Sequence, residues 1–131
     1  MTERGAAALE TALAHHRAWT NGDFDAAMTY VANDIVCLVP SGRLAGAEAF
    51  RSFMGPFAQM LTRFELLAAF GDDTTAVLMY DADTIAVSGA PAAECLTVVD
   101  GRIAHMRIIF DRTPFEAARQ QSAKAMAADG E

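Results

Sequence analysis

The sequence predicts an α+β fold, in which helices and a mostly antiparallel sheet come from separate parts of the chain. Three observations lead to this prediction. Helix-forming segments dominate the first part of the sequence, apolar runs with a two-residue period follow, and short turn signals separate those runs. Strands joined by short turns pair antiparallel, and helices that precede them pack on one face of the sheet.

The length and composition predict one globular domain over residues 1–131, with its core in about residues 9–119. The net charge of −7 and the lack of a basic stripe argue against a nucleic-acid partner. No apolar run is long enough to span a bilayer and no signal pattern opens the chain, so we expect no membrane partner and a cytoplasmic location. The two cysteines are expected to be reduced thiols.

The N-terminal part of the chain predicts two helices. Apolar residues at helical spacing favour a helix from about Glu3 to Thr20, which Asn21 and Gly22 then end. Asp23 is a suitable N-cap for a short second helix from Phe24 to about Val31.

A strand and a third helix follow. The apolar run from Asp34 to Pro40 is typical of a strand, and the segment SGRLAG after it is rich in turn residues. A third helix is expected to begin near Ala47 and to be interrupted at Gly55 to Phe57, because proline removes a helical hydrogen bond.

The second half of the chain predicts sheet and one last helix. Strands are expected over the following segments: Thr62 to Phe70, Thr74 to Ser88, Ala92 to Val99 and Arg102 to Asp111. Asp100-Gly101 is a strong two-residue hairpin signal. Thr113 as N-cap, Pro114 at the first helical position and Glu116 in a capping box predict a helix over about residues 114–128, before Gly130.

Two carboxylates interrupt the strand-like run VLMYDADTIAV at residues 77–87. The period of a strand puts Asp81 and Asp83 on one face with Val77 and Met79, and puts Tyr80 on the other face. We expect Asp81 to point into an apolar pocket, where burial would suit it to proton transfer, with Asp83 at the rim and Tyr80 facing outward. The alternative is that a bulge or register shift turns both carboxylates outward.

The last predicted strand has an unusual outer face, which combines apolar and basic side chains. Such a face suits a second subunit better than solvent. We therefore expect a homodimer formed through Ile103, His105, Arg107 and Ile109.

Two long segments of the sequence resemble known proteins. HHRAWTNGDFDAAMTYVANDIV resembles the opening of the nuclear transport factor 2-like superfamily, especially its SnoaL-like polyketide-cyclase branch. DGRIAHMRIIFDRTPFEAA resembles the closing strand and helix of limonene epoxide hydrolases and, in part, of ketosteroid isomerases. The resemblance implies a cone-shaped roll, in which a curved mixed or antiparallel sheet wraps around N-terminal helices and a C-terminal helix follows. It also implies an apolar pocket at the wide end of the cone.

The resemblance to ketosteroid isomerases suggests two polar site residues. His15 takes the position of the oxyanion-hole tyrosine, and Glu94 is the best match to the second donor, a protonated carboxylic acid. Val39 stands where those enzymes have their general base, so the base is absent here.

The resemblance to epoxide hydrolases preserves only Asp81 of their catalytic set. Met79 takes the place of the arginine and Ile108 that of the second aspartate, while Cys37 and Val39 replace the residues that hold water. Neither family's mechanism can therefore be transferred whole.

Three functions remain open from the sequence. The first is a cofactor-independent enzyme that performs isomerisation, aldol-type cyclisation or hydrolysis on a small apolar carbonyl or epoxide compound, with Asp81 as acid or base and His15 and Glu94 orienting the oxygen. The second is a binding protein for a small apolar ligand, and the third is a dimeric interaction module. No metal site and no cofactor are expected, because the histidines lack partners at ligand spacing. The residues expected to line the pocket are Trp19, Cys37, Val39, Phe50, Met54, Phe57, Met79, Asp83, Met106, Ile108, Phe110 and Phe115.

Overall fold

A computed structural model describes residues 5–129 of the chain. The helices within them are α1 (Ala7–Thr20), α2 (Phe24–Met28), α3 (Ala47–Met60) and α4 (Thr113–Asp129). The strands are β1 (Val31–Val39), β2 (Gly42–Ala45), β3 (Leu61–Gly71), β4 (Thr75–Thr84), β5 (Ala90–Val99) and β6 (Arg102–Phe110). The predicted helix start at Glu3 and the stop at Gly130 lie outside the described residues.

The six strands form one curved sheet in the order β2-β1-β6-β5-β4-β3. Neighbouring strands are antiparallel except for β1 and β6, which are parallel, so the sheet is mixed. Helices α1 and α3 contact one face of this sheet, which we call the inner face. Helix α2 contacts α1 and α3, and α4 follows the last strand. The predicted α+β class is confirmed.

Several turns and caps form where the local sequence predicts them. Asp100 and Gly101 have φ angles of 51° and 77°, which is the left-handed geometry that a tight two-residue hairpin requires. The Asp23 carboxylate accepts a hydrogen bond from the amide of Ala26 and so caps α2. The start of α4 does not form the predicted capping box. The Asp111 carboxylate accepts a hydrogen bond from the amide of Thr113, and Glu116 pairs with Arg112 instead.

Four element boundaries differ from the prediction. Helix α2 ends at Met28, and the turn-rich segment after β1 contains the short strand β2. Helix α3 continues through Pro56, since its apolar side chains pack on both sides of the proline and offset the lost hydrogen bond. Strand β4 ends at Thr84, whose amide donates to the carbonyl of Val87 and closes a loop over residues 85–89.

The core lies between α1, α3 and the inner face of the sheet. Its fully buried members include Trp19 of α1, Phe50 of α3 and Leu78 of β4. The ladder between β5 and β6 contains a register shift near Ile103, which turns that side chain into the core. Ile103 was expected on the outer face, and this placement is wrong. Among the described residues, no helix combines the length and apolarity that crossing a membrane requires.

Candidate functional site

Strand β4 faces the opposite way to the prediction. Leu78, Tyr80 and Ala82 are buried on the inner face, whereas Val77 and Met79 are exposed on the outer face. Because side chains alternate along a strand, Asp81 and Asp83 lie on the outer face too. No bulge interrupts the ladder between β4 and β5. Regular alternation therefore turns both carboxylates outward, without the bulge or register shift that the sequence left as an alternative. The inward orientation predicted for Asp81 is therefore wrong, and so is the outward orientation predicted for Tyr80.

The two carboxylates have neighbours outside the core. Asp81 pairs across the sheet with Glu65 of β3. Asp83 accepts a hydrogen bond of 2.6 Å from the amide of Gly89, and one of its oxygens lies 3.8 Å from the guanidinium of Arg63. Asp83 thus anchors the loop over residues 85–89.

The inner face carries a buried pair of polar side chains instead. Tyr80 of β4 and Glu94 of β5 are 1% and 2% exposed. The Tyr80 hydroxyl donates to Glu94 Oε2 across a distance of 2.6 Å. Such a short bond to a carboxyl group is among the stronger hydrogen bonds in proteins. Burial is the condition that favours the protonated form, which the resemblance to isomerases implies for Glu94.

Burial changes the acidity of the groups around this pair. Removal from water raises the pKa of Glu94 from 4.5 to about 7, although the hydrogen bond from Tyr80 opposes the rise. Burial, and then the nearby Glu94 charge, raise the pKa of Tyr80 well above its ordinary value. The same two causes raise the pKa of the buried Cys37 thiol to about 12. Near neutral pH the tyrosine and the thiol are therefore protonated, while Glu94 exists in both forms.

Two neighbouring histidines of α1 are also buried. Nδ1 of His15 lies 3.0 Å from the carbonyl oxygen of Ala27, and a carbonyl can only accept, so Nδ1 carries the proton. Burial lowers the pKa of His15 to about 4, against the opposing effect of this bond. His15 packs against the ring of Phe50 and is not part of the cavity wall described below.

His16 lies in an aromatic cluster. Its ring centroid is 4.9 Å from those of Trp19 and Tyr80 and 4.4 Å from that of Phe64. Neither ring nitrogen of His16 has a hydrogen-bond partner within the described residues, nor does the indole nitrogen of Trp19. Burial, with a smaller effect from His15, lowers the pKa of His16 to about 3. Both histidines are therefore neutral at physiological pH.

A cavity of about 290 Å³ opens beside Tyr80, between the sheet, α3 and α4. Its volume is at the small end of the range for ligand pockets, which begins at about 300 Å³. Five residues of the predicted lining are in its wall: Met54, Phe57, Ile108, Phe110 and Phe115.

The other residues predicted to line the pocket lie elsewhere. Trp19, Cys37, Val39, Phe50 and Met106 are buried core residues that do not border the cavity. Met79 is exposed on the outer face, and Asp83 holds the loop described above. The buried placements follow from the packing of α1 and α3 against the inner face of the sheet.

The sequence prediction of the site included none of the five polar residues in the cavity wall. They are Ser41, Tyr80, Arg112, Glu116 and Arg119. Arg112 donates to the Glu116 carboxylate at 2.6 Å, one turn along the chain. The sequence put Tyr80 on the opposite face of β4 from the two carboxylates, but it did not show which of the two faces lies inside. The described residues contain no cluster of three or more His, Cys, Asp or Glu side chains placed to hold a metal ion.

Comparisons with known proteins agree with this architecture. The family model described as the SnoaL-like domain matches residues 12–106. A solved structure from Kribbella flavida DSM 17836 shares 62% identity and a TM-score of 0.86, over 90% of this chain and 98% of that one. The search of curated proteins found no match.

More distant solved structures share the fold. A steroid delta-isomerase from Pseudomonas aeruginosa has a TM-score of 0.73 at 17% identity, over 97% of this chain and 99% of that one. A protein named as a polyketide cyclase, from Sinorhizobium meliloti, has a TM-score of 0.66 at 22% identity, over 76% and 93%. Because the family model covers most of the sequence, the chain belongs to the SnoaL-like domain family, within the nuclear transport factor 2-like fold.

Proposed function

We propose that the protein is a cofactor-independent enzyme that binds a small apolar carbonyl compound and polarises its oxygen through Tyr80, supported by Glu94. The observation that carries this proposal is the 2.6 Å hydrogen bond between these two buried groups, with Tyr80 in the cavity wall. A preorganised donor in a site that excludes water stabilises negative charge that develops on a substrate oxygen. Isomerisation, aldol-type cyclisation and hydrolysis all develop such charge.

Protonation of Glu94 decides what Tyr80 can donate to. When Glu94 is ionised, its carboxylate can only accept, so the Tyr80 hydroxyl is held by Glu94. When Glu94 is protonated, the carboxylic acid is the stronger donor and can donate to the Tyr80 oxygen. The Tyr80 proton is then free for an oxygen in the cavity. A pKa of about 7 for Glu94 leaves both arrangements available near neutral pH.

A proton-exchange assay tests this proposal with 2-acetylnaphthalene, a neutral apolar ketone. Enolisation transfers a methyl proton to a solvent base, hydroxide or water, and leaves negative charge on the ketone oxygen. Reversal in heavy water takes a deuteron from the solvent, so the methyl hydrogen is replaced with deuterium. We expect the wild type to accelerate exchange, and Tyr80→Phe to lower the rate by about 100-fold, as loss of one oxyanion donor does. NMR of the methyl group measures the rate.

The chain offers a matched control, because its only other tyrosine, Tyr30, packs against the core outside the cavity wall. Tyr30→Phe should leave the exchange rate unchanged. An equal loss in the two variants would mean that a general structural change, and not the Tyr80 hydroxyl, affects exchange.

The second candidate function is a carrier for a small apolar ligand. The observation that favours it is the mostly apolar cavity wall, from which the predicted acid–base residue Asp81 is missing. A carrier would be stabilised by 2-acetylnaphthalene in a thermal melt without accelerating exchange. A protein that shows neither effect would be better explained as an interaction module.

We further propose that two copies associate through the outer face of the sheet. Val77, Met79 and Ile109 expose apolar surface there, and Ile109 is 61% exposed. The strand register puts Arg107 on one side of this apolar band and Asp81 on the other. A two-fold axis through the band would bring Arg107 of each copy towards Asp81 of the other, so the face is complementary to itself.

A charged side chain introduced on the outer face of the sheet should abolish this association. We expect Ile109→Glu to reduce the mass measured by light scattering from twice the chain mass of 14.0 kDa to that of one chain, because it buries a carboxylate in an apolar contact. Ile85→Glu is the control, since Ile85 is 77% exposed but lies in the loop after β4. A wild type that is monomeric at micromolar concentration would contradict the proposal.

A further inference from the structure

The wall of the cavity that α4 and the residue just before it contribute is charged, unlike the walls from α3 and the sheet. Arg112, Glu116 and Arg119 border the cavity there. Arg112 and Glu116 form an ion pair with each other. No ion pair found among the described side chains includes Arg119, so this arginine borders the cavity without a carboxylate partner among them.

This local charge is opposite in sign to that of the whole chain. The chain has a formal net charge of −7, while the cavity wall contains two guanidinium groups and one carboxylate. Charged groups beside a low-dielectric apolar wall act more strongly on a bound ligand than they would on open surface. The cavity therefore has a cationic region beside α4 and Tyr80 in the wall that the sheet contributes.

We infer that the ligand is an amphiphile, with an apolar body, an acceptor oxygen at Tyr80 and a carboxylate that pairs with Arg119 at α4. This inference rests on the proposed function, and it adds the class of substrate: an apolar carboxylic acid with a second oxygen function. A guanidinium suits this role because its fork of N–H donors matches the two oxygens of a carboxylate. Arg112 can assist by exchanging Glu116 for the ligand, which its neighbouring position in the wall allows.

Two probes with the same body separate the inference from the function on which it rests. One is 2-acetylnaphthalene, and the other is 6-acetyl-2-naphthoic acid, which carries a carboxylate at the far end of the ring system from the ketone. We expect the acid to bind the wild type about three- to fivefold more tightly than the ketone, the range that a solvent-accessible ion pair supports. Calorimetric titration measures both dissociation constants.

Substitution of Arg119 should remove this preference and leave the ketone's affinity unchanged. In Arg119→Gln the two probes should bind equally, and Arg119→Lys should restore only part of the preference. Arg102→Gln is the matched control, because Arg102 is an exposed arginine at the far end of β6 and does not border the cavity. Added salt should weaken binding of the acid and not that of the ketone.

The outcomes distinguish the two proposals. If neither probe binds, the proposed function fails. If the ketone binds and the acid binds no better, or if Arg119→Gln weakens both probes equally, the function stands and the inference is overturned. Tighter binding of (6-acetylnaphthalen-2-yl)methylamine, which is an ammonium ion at neutral pH, than of the acid would mean that Glu116 selects a cationic ligand instead. Ala92→Phe puts a larger side chain into the cavity wall beside Tyr80 and should abolish binding of both probes. This loss would exclude binding of the probes to the outer face of the sheet.

Discussion

Replacing His16 with phenylalanine is expected to make the protein increasingly more stable than the wild type as the pH falls below 6.5. The His16 ring is 2% exposed, and its nitrogens have no partner among the described residues. Burial therefore holds its pKa at about 3 in the folded state, against 6.5 in the unfolded chain. Between these two pKa values the unfolded chain binds a proton at His16, and the folded protein does not.

The sign and size of the effect follow from this difference. A basic group whose pKa is lower in the folded protein than in the unfolded chain contributes stability at high pH. That stability is lost as the pH falls from the pKa in the unfolded chain towards the pKa in the folded protein. The loss approaches about 1.4 kcal/mol for each pH unit below pH 6.5, where half of the unfolded chains are already protonated. The variant should therefore gain about 2 kcal/mol on the wild type between pH 6.5 and pH 4.5. Urea unfolding at a series of pH values measures the difference.

A difference in the free energy of unfolding that is the same at every pH does not bear on this prediction. Such a difference can arise because phenylalanine is larger than histidine and can strain the aromatic cluster. His16→Leu supplies the check, since it should show a different offset and the same slope. A difference that does not change with pH in either variant would mean that the His16 ring is hydrated in the folded protein.

Replacing Glu94 with glutamine is expected to produce the opposite pH dependence. Burial raises the folded pKa of Glu94 to about 7 from 4.5, so the folded protein keeps a proton that the unfolded chain has released. The stability that this proton supplies is complete below pH 4.5 and is lost as the pH rises to about 7. Glutamine cannot ionise, so the variant should gain about 3 kcal/mol on the wild type over that window.

Only the difference between wild type and variant isolates Glu94. His15 and His16 destabilise the folded protein as the pH falls over part of the same range, so the wild-type curve combines opposing slopes. Tyr80→Phe provides a further check, because its hydrogen bond lowers the pKa of Glu94. Without that bond, the upper end of the window should move above pH 7. An upper end that stays in place would contradict the importance of the Tyr80–Glu94 bond.

Local sequence signals determined much of the fold. The caps and turns at Asp23 and Asp100-Gly101 depend on a few adjacent residues, so their chemistry can be read without knowing the partners in space. The order of helices before strands likewise predicted the α+β class. Helix α3 shows the limit of such signals, because packing against the core overrides the local cost of Pro56.

The sequence predicted a site role for Glu94, which the proposed function retains, but it put Asp81 and Tyr80 on the wrong faces. The reason is the symmetry of strand β4. Both of its faces are largely apolar, so the two-residue period fixes which side chains share a face and not which face is inside. That choice depends on the helices that cover one side of the sheet. Helix α1 covers the face with Tyr80, which puts Asp81 outside.

The composition, the order of elements and the family resemblance were thus determined by the sequence itself. Three properties were decided only by the tertiary structure: the bond between Tyr80 and Glu94, the lowered pKa values of His15 and His16, and the position of Arg119 at the cavity. Each arises between residues far apart in the chain or from burial by several elements at once. Hydrogen-bond distance and desolvation depend on where the whole chain puts its atoms, and no short stretch of sequence contains that information.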